Sequence, residues 1–312
     1  MKQILFSFGL IIGAGVFFRR LKIGGMDADT MRKAISISVF NLFLPALCIK
    51  VTYTVSLGAE AILIPITAWF TILLLLLMAL ITYWILGKKW NIHPSQKGTL
   101  VLGAVFGNVT YLGLPVLTEL YGPHAAKYAL FFDLMASTPL VWTAGATLAT
   151  HYGKNQGVSM VDSLKKLASL PPLWAITTGI VLNISGVTLP EFIVKTLSMF
   201  ANLVVPLMIF TIGLALVIPK VKDAYIIIPA VILKLVAAPF IAYTIGCTLG
   251  IEGEALASCF IEGAMPTMVL SLLIAAQFKL DVTLAAFIIV ITTFLSFFTL
   301  PVIVYLTNIW IF

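Results

Sequence analysis

Charge is scarce in this chain. Of its 312 residues 10% are Asp, Glu, Lys or Arg, while 61% are hydrophobic. A water-soluble domain carries roughly a quarter charged residues to cover its surface. With a mean hydropathy of +1.11, lipid and not water is the solvent this surface requires. Histidine and cysteine are almost missing. His93, His124 and His151 show no metal-ligand spacing, so no metal site is expected. Cys48, Cys247 and Cys259 lie in apolar runs without a C-x-x-C pair and read as small buried residues. A nucleotide-binding glycine loop, an H-E-x-x-H and a G-x-S-x-G are absent too. ATP is therefore excluded as the direct energy source, an intramembrane enzyme is disfavoured, and no cofactor is expected.

What the chain has instead is long apolar runs. Ten can be read, over 3–19, 33–54, 60–87, 97–121, 124–149, 171–188, 192–217, 224–249, 254–278 and 283–311. Each is near the roughly 20 residues that span a bilayer as helix. The expected fold class is an all-α polytopic membrane protein with ten transmembrane helices. The first run is read as the first membrane helix and not as a cleaved leader, because Arg19, Arg20 and Lys22 follow it instead of preceding it.

The net charge of +7 is no nucleic-acid signal, because the basic residues sit in alternate short loops. One side carries Arg19, Arg20, Lys22, Arg32, Lys33, Lys88, Lys89, Lys97, Lys154, Lys165, Lys166, Lys220, Lys222 and Lys279. The other carries Lys2, Lys50, Lys127 and Lys195. The rich side is read as cytoplasmic, which puts both termini of a multi-pass inner (plasma) membrane protein outside.

The two halves of the chain echo each other. Asn41-Leu-Phe-Leu-Pro45 in the second run matches Asn202-Leu-Val-Val-Pro206 in the seventh, with 202 − 41 = 161 and 206 − 45 = 161. Ile62-Leu-Ile-Pro65 matches Ile226-Ile-Ile-Pro229, with 229 − 65 = 164. Residues 1–150 and 171–312 therefore read as two five-helix repeats joined by a cytoplasmic linker, 151–170. Five is odd, so the second copy enters from the opposite face, the inverted plan of many secondary transporters. Asn41, Pro45, Asn202 and Pro206 read as hinge or structural residues, the asparagines bonding backbone near each bend. Gly9-x-x-x-Gly13 offers a close-packing notch.

The fourth and ninth runs hold the chemistry. The fourth contains Gly103, Gly107, Asn108, Thr110, Gly113 and Pro115; the ninth contains Glu262, Gly263, Pro266 and Thr267. Glycine frees the backbone to leave helical geometry and proline removes a donor, so both helices are expected to break near the midplane. Such backbone cannot face lipid. Pro115 and Pro266 each suit the first position of a new half-helix. Two half-helix N-termini meeting there would attract a carboxylate. Proline kinks and glycine notches also occur as plain packing features in membrane helices.

Asp133, Lys234 and Glu262 lie deep inside runs. Burying a charge there costs at least about 2.5–3.5 kcal/mol, so these are candidates for proton coupling or an ion pair. Either carboxyl can bind a proton, since burial disfavours the charged form. A purely structural pair or a snorkelling lysine is the alternative.

Asn41-Leu-Phe-Leu-Pro45, the Gly107-Asn108 to Gly113-Leu-Pro115 stretch and Ala264-Met-Pro266 together resemble the auxin efflux carrier family in its short bacterial form. The resemblance covers essentially the whole chain. It implies fourth and ninth helices broken and crossing at the substrate site, where Asn108, Pro115 and Pro266 match the family's crossover positions. It further implies a scaffold with the dimer interface (1–56 and 171–218) and a mobile transport unit (57–150 and 219–312). The second crossover lacks the matching asparagine and has Glu262 nearby. On this reading the chain is an elevator-type secondary transporter of a small organic anion, malonate- or auxin-like, driven by membrane potential or a proton gradient. The substrate-binding set is Asn108, Thr110, Gly113, Pro115, Glu262, Gly263, Pro266 and Thr267. A sodium-coupled organic-acid symporter of similar architecture and an anion-binding membrane sensor stay open as alternatives.

Overall fold

The computed structural model describes residues 2–21, 25–153, 160–215, 219 and 221–312. Lys22, Lys154 and Lys220, counted above among the loop cations, lie outside the described residues. The α-helices in chain order are α1 (Lys2–Leu21), α2 (Ala28–Ser38), α3 (Leu44–Thr54), α4 (Glu60–Lys89), α5 (Pro94–Val105), α6 (Leu114–Tyr121), α7 (Ala126–Phe132), α8 (Thr138–Leu140) and α9 (Ala146–Tyr152). They continue with α10 (Met160–Ala168), α11 (Pro171–Ile184), α12 (Glu191–Ala215), α13 (Ile228–Ile232), α14 (Ala238–Thr248), α15 (Gly253–Gly263), α16 (Leu270–Gln277) and α17 (Val282–Trp310). Among the described residues six helical stretches are long and apolar enough to cross a membrane: 28–54, 60–89, 123–152, 191–215, 224–248 and 282–310. Large apolar side chains such as Phe6, Trp84, Ile184 and Phe192 stand exposed, as lipid-facing residues do. The chain is a nearly all-helical, multi-pass membrane protein.

Proline placement explains much of the local geometry. π-helical turns cover Val39–Phe43, Val109–Gly113, Asp133–Ser137, Val141–Gly145 and Leu233–Ala237. All but Val141–Gly145 end two residues before a proline: Pro45, Pro115, Pro139 and Pro239. A proline ring collides with the carbonyl four residues back, here Asn41, Tyr111, Met135 and Leu235, all inside those wide turns. Widening the turn relieves the collision without ending the helix. Pro206, by contrast, lies inside an unbroken α12.

The chain forms two compact units, 1–58 with 110–130 and 169–216, and 59–109 with 131–168 and 217–312. In the first unit α3 packs on α11 and α1 on α12. The Arg19 guanidinium donates to the Leu214 carbonyl and lies 3.7 Å from the Asp29 carboxylate. Asp27 caps α2 by accepting from the Thr30 N–H at 2.9 Å, and the Thr30 hydrogen bonds hold its carboxyl below the usual range. Asn183 Nδ2 donates to the Tyr53 and Val55 carbonyls at 2.8 and 2.9 Å, closing the end of α3.

Among the described residues nothing occupies the expected notch at Gly9 and Gly13: a side chain there would meet no atom within 4 Å. The close approach belongs to Gly15 and Gly213. A Cβ on Gly213 would stand 2.2 Å from the Ile12 carbonyl oxygen, and one on Gly15 2.5 Å from that of Phe210. Gly213→Val is expected to destabilise the fold by about 1–3 kcal/mol through overpacking, measured by thermal unfolding in detergent. Gly9→Val should leave the midpoint unchanged.

In the second unit α4 packs on α5 and α14, α5 on α17, and α14 on α15. Tyr83 is buried on α4. Its hydroxyl donates to the Ile226 carbonyl and accepts from the Ala230 N–H, each at 3.0 Å. The freed ends of backbone at the start of α13 are thereby satisfied inside an apolar core. Tyr83→Phe strands both groups and should cost about 1–3 kcal/mol, read as a lowered unfolding midpoint. The stretch 151–170, expected to be linker, contains α10, whose Lys166 Nζ donates to Gln277 Oε1 at 2.6 Å.

Candidate functional site

Two interruptions meet in the second unit. Between α5 and the turn at Val109 the chain runs extended through residues 106–108. Between α15 and α16 it leaves helical geometry over residues 264–269. Gly107 and Thr267 form an antiparallel bridge. The Asn108 N–H donates to the Pro266 carbonyl at 2.7 Å, and the Met268 N–H to the Phe106 carbonyl at 2.8 Å. Each break thus supplies the partners that the other lost on unwinding, the requirement for irregular backbone at membrane depth.

Threonines fix the crossing. Thr267 Oγ1 donates to the Gly103 carbonyl at 2.7 Å, and the Thr267 N–H donates to Thr292 Oγ1 at 3.1 Å. Both residues are fully buried. Thr267 thus holds the crossing together in this conformation, and Thr292, in a long apolar run, carried no sequence signal of its role.

Pro266 does not open a half-helix. Its carbonyl pairs with Asn108, the chain stays extended through Met268, and α16 begins only at Leu270. The bridge takes the residues that a first turn would need. Pro115 does sit in the first turn of α6, behind the π turn ending at Gly113.

Beside the crossing lies a polar cluster. The Lys234 ammonium, at the π turn before Pro239, donates to the Gly263 carbonyl at 2.8 Å. A Cβ on Gly107 would lie 3.0 Å from Lys234 Cε and 3.2 Å from its Nζ, so glycine there lets the cation lie against the break. Glu262 is buried at the end of α15, and neither carboxyl oxygen has a hydrogen-bond partner among the described residues. Glu262 and Lys234 line the same small void. Asp133 is buried in its own π turn and accepts from Thr138 Oγ1 at 3.0 Å. Ser137 Oγ also lacks a partner among the described residues.

Asn108, Asp133, Lys234, Glu262, Gly263, Pro266 and Thr267 all belong to the second unit; Thr110, Gly113 and Pro115 belong to the first. The void lined by Gly107, Lys234, Glu262, Gly263, Thr71 and Ser137 measures only about 10 Å³, room for about one water. A carboxylate-sized pocket at the crossing, expected from the sequence, is not open in this conformation, because the Lys234 side chain and the paired backbones fill it.

Of the hinge residues, Asn41 Nδ2 donates to the Ile37 carbonyl at 2.8 Å, one turn before Pro45. Asn202 and Pro206 line a separate cavity of about 760 Å³ in the first unit. Among the described residues no group of three or more His, Cys, Asp or Glu is gathered as for a metal ion.

A multi-pass apolar bundle with two interrupted helices bridged to each other, and ionisable groups buried beside the bridge, defines a membrane transport protein. Comparison with known proteins agrees. The family model described as "Membrane transport protein" matches residues 1–304. An uncharacterized transporter of Methanothermobacter thermautotrophicus is 28% identical over 286 residues, covering 89% of each chain. One of Methanocaldococcus jannaschii is 28% identical over 282 residues, covering 88% of this chain and 89% of its own. The chain belongs to this membrane transport family, the auxin efflux carrier family that its motifs resemble.

Proposed function

We propose that the chain is a secondary transporter of a small organic anion, malonate- or auxin-like, working by elevator-type alternating access. It is read as ten spans in two inverted five-helix repeats, in the plasma membrane with both termini outside, assembled as a homodimer. The observation that carries the proposal is the antiparallel bridge between two interrupted helices with Glu262 and Lys234 buried beside it. The bridged residues are separated by 267 − 107 = 160, close to the 161 and 164 of the sequence repeat, which supports the inverted-repeat reading.

On this proposal residues 57–150 and 219–312 are the moving part and 1–56 and 171–218 the scaffold. Asn108, Thr110, Gly113, Pro115, Glu262, Gly263, Pro266 and Thr267 surround the anion when the crossing opens. Amide groups released by unwinding meet its charge. Glu262 carries the coupling proton. An ionised carboxylate without hydrogen-bond donors is costly to bury, so its protonation changes as the crossing opens and closes. Asp133 and Lys234 set the field around it.

The test is anion flux in proteoliposomes with proton, sodium and potential gradients imposed one at a time. Flux that follows the proton gradient or the potential supports the proposal. Flux that follows sodium alone favours the symporter alternative. Anion binding without flux under any gradient favours a sensor.

A further inference from the structure

The small void beside the crossing gathers polar groups whose hydrogen-bonding needs match. Its volume is about 10 Å³, and Lys234, Glu262, Ser137, Thr71, Gly107 and Gly263 line it. We propose that one water molecule fills it and joins the Lys234 ammonium to the Glu262 carboxyl, so that the two side chains hold the coupling proton together. The inference rests on the coupling role given to Glu262 above and names the partner of its proton.

The lining leaves donors and acceptors unmatched. An ammonium carries three donors. Lys234 uses one on the Gly263 carbonyl at 2.8 Å, and no second acceptor reaches it among the described residues. Both Glu262 oxygens and Ser137 Oγ lack a partner there too. Lys234, Glu262 and Ser137 are 2%, 1% and 1% exposed, so bulk water does not serve them. Lys234 and Glu262 share the void without bonding each other directly. Thr71 Oγ1 donates to the Thr67 carbonyl at 2.7 Å and keeps lone pairs with which to accept. Asp133 and Cys259 are buried as well, but neither lines the void, and Asp133 accepts from Thr138 Oγ1 at 3.0 Å.

A buried water is held by two to four polar partners and needs about this much room. Here it accepts from Lys234, donates to a Glu262 oxygen and meets the Ser137 hydroxyl. A metal ion in the same void would stand beside an ammonium, like charge against like. Through the water a proton passes between the two side chains in one balanced step. The ammonium gives an N–H proton to the water oxygen while the water gives one of its own to a Glu262 oxygen. One N–H and one water O–H bond break, and one water O–H and one carboxyl O–H bond form. Ammonium and carboxylate become amine and acid, and the pair stays neutral as a whole in both forms. A proton taken up by either group when the crossing opens is thereby available to the other.

The test has three readings on the full chain. A structure of the purified protein at a resolution that shows ordered water should place a density peak within hydrogen-bond distance of Lys234 Nζ, a Glu262 oxygen and Ser137 Oγ. A void without density, a direct bond between Lys234 and Glu262, or a peak with the short oxygen distances of a metal ion overturns the inference. In thermal unfolding, Lys234→Met strands the carboxyl and should lower the midpoint by several degrees. Adding Glu262→Gln removes both ends of the bridge and should recover most of that loss; additive losses overturn the pairing. If Lys234→Met alone does not fold, a folded double variant is the expected result and an unfolded one overturns the pairing. In proteoliposomes, Lys234→Met should lose the roughly tenfold accumulation that one pH unit supplies per proton. A lysine that only supports the fold would lower the midpoint and keep that accumulation, which overturns the shared proton. If the wild type accumulates the anion but the void holds no water, the inference falls and the carrier reading stands. If density and recovery are as expected yet no gradient drives flux, the bridged pair stands and the carrier reading falls.

Discussion

Glu262→Gln is expected to remove the response of transport to an imposed pH gradient. One pH unit supplies about 1.4 kcal/mol per proton, roughly tenfold accumulation if one proton accompanies each anion. In the variant that tenfold should fall to none. The reasoning starts from geometry: Glu262 is 1% exposed, both its oxygens lack partners among the described residues, and the Lys234 ammonium donates its hydrogen bond to the Gly263 carbonyl at 2.8 Å and not to Glu262. Glutamine keeps the shape and cannot exchange a proton. Accumulation measured at two imposed gradients decides the matter. Unchanged proton-driven accumulation by Glu262→Gln would clear this residue of the coupling role.

The second large effect is expected at Gly263. A Cβ there would stand 2.8 Å from Pro239 Cα and 3.0 Å from the Ala238 carbonyl oxygen. Both are backbone atoms of the first turn of α14, so no rotamer change relieves the contact. Gly263→Val would push the end of α15 off α14 and displace the carbonyl that holds Lys234. The paired breaks depend on that placement to within fractions of an ångström. Loss of transport on the order of a hundredfold is expected, the scale by which small misplacements degrade an arranged site. Radiolabelled anion counterflow measures it. A folded variant with normal counterflow would show that the contact between α14 and α15 does not set the geometry of the crossing.

Much of the site could be read in advance because it rests on unusual residues in an apolar background. Gly107, Pro115, Gly263 and Pro266 interrupt apolar runs, and Asp133, Lys234 and Glu262 are conspicuous there. The positions of the breaks follow from backbone chemistry, which acts within a few residues. Partners acting across long separations were not legible. Thr267 pairs with Gly103 across 164 residues, and Tyr83 with Ala230 across 147; a threonine or tyrosine in an apolar run announces no partner. The same limit misplaced Pro266, because helix-start preference is local and the bridge to Gly107 overrode it. The GxxxG spacing promised contact at Gly9 and Gly13, yet the helix surface that packs is that of Gly15.

By itself the sequence determined that this chain lives in lipid, that its fourth and ninth apolar runs are interrupted beside their glycines and prolines, and that Asp133, Lys234 and Glu262 are buried. These outcomes depend on the transfer cost of each residue and on its own backbone. Tertiary structure alone decided which break pairs with which, that the crossing closes around about one water, and that a cavity of about 760 Å³ forms in the first unit. Pairing, closure and cavity are products of side chains and backbone brought together from distant parts of the chain, and their energies exist only once those parts are in contact.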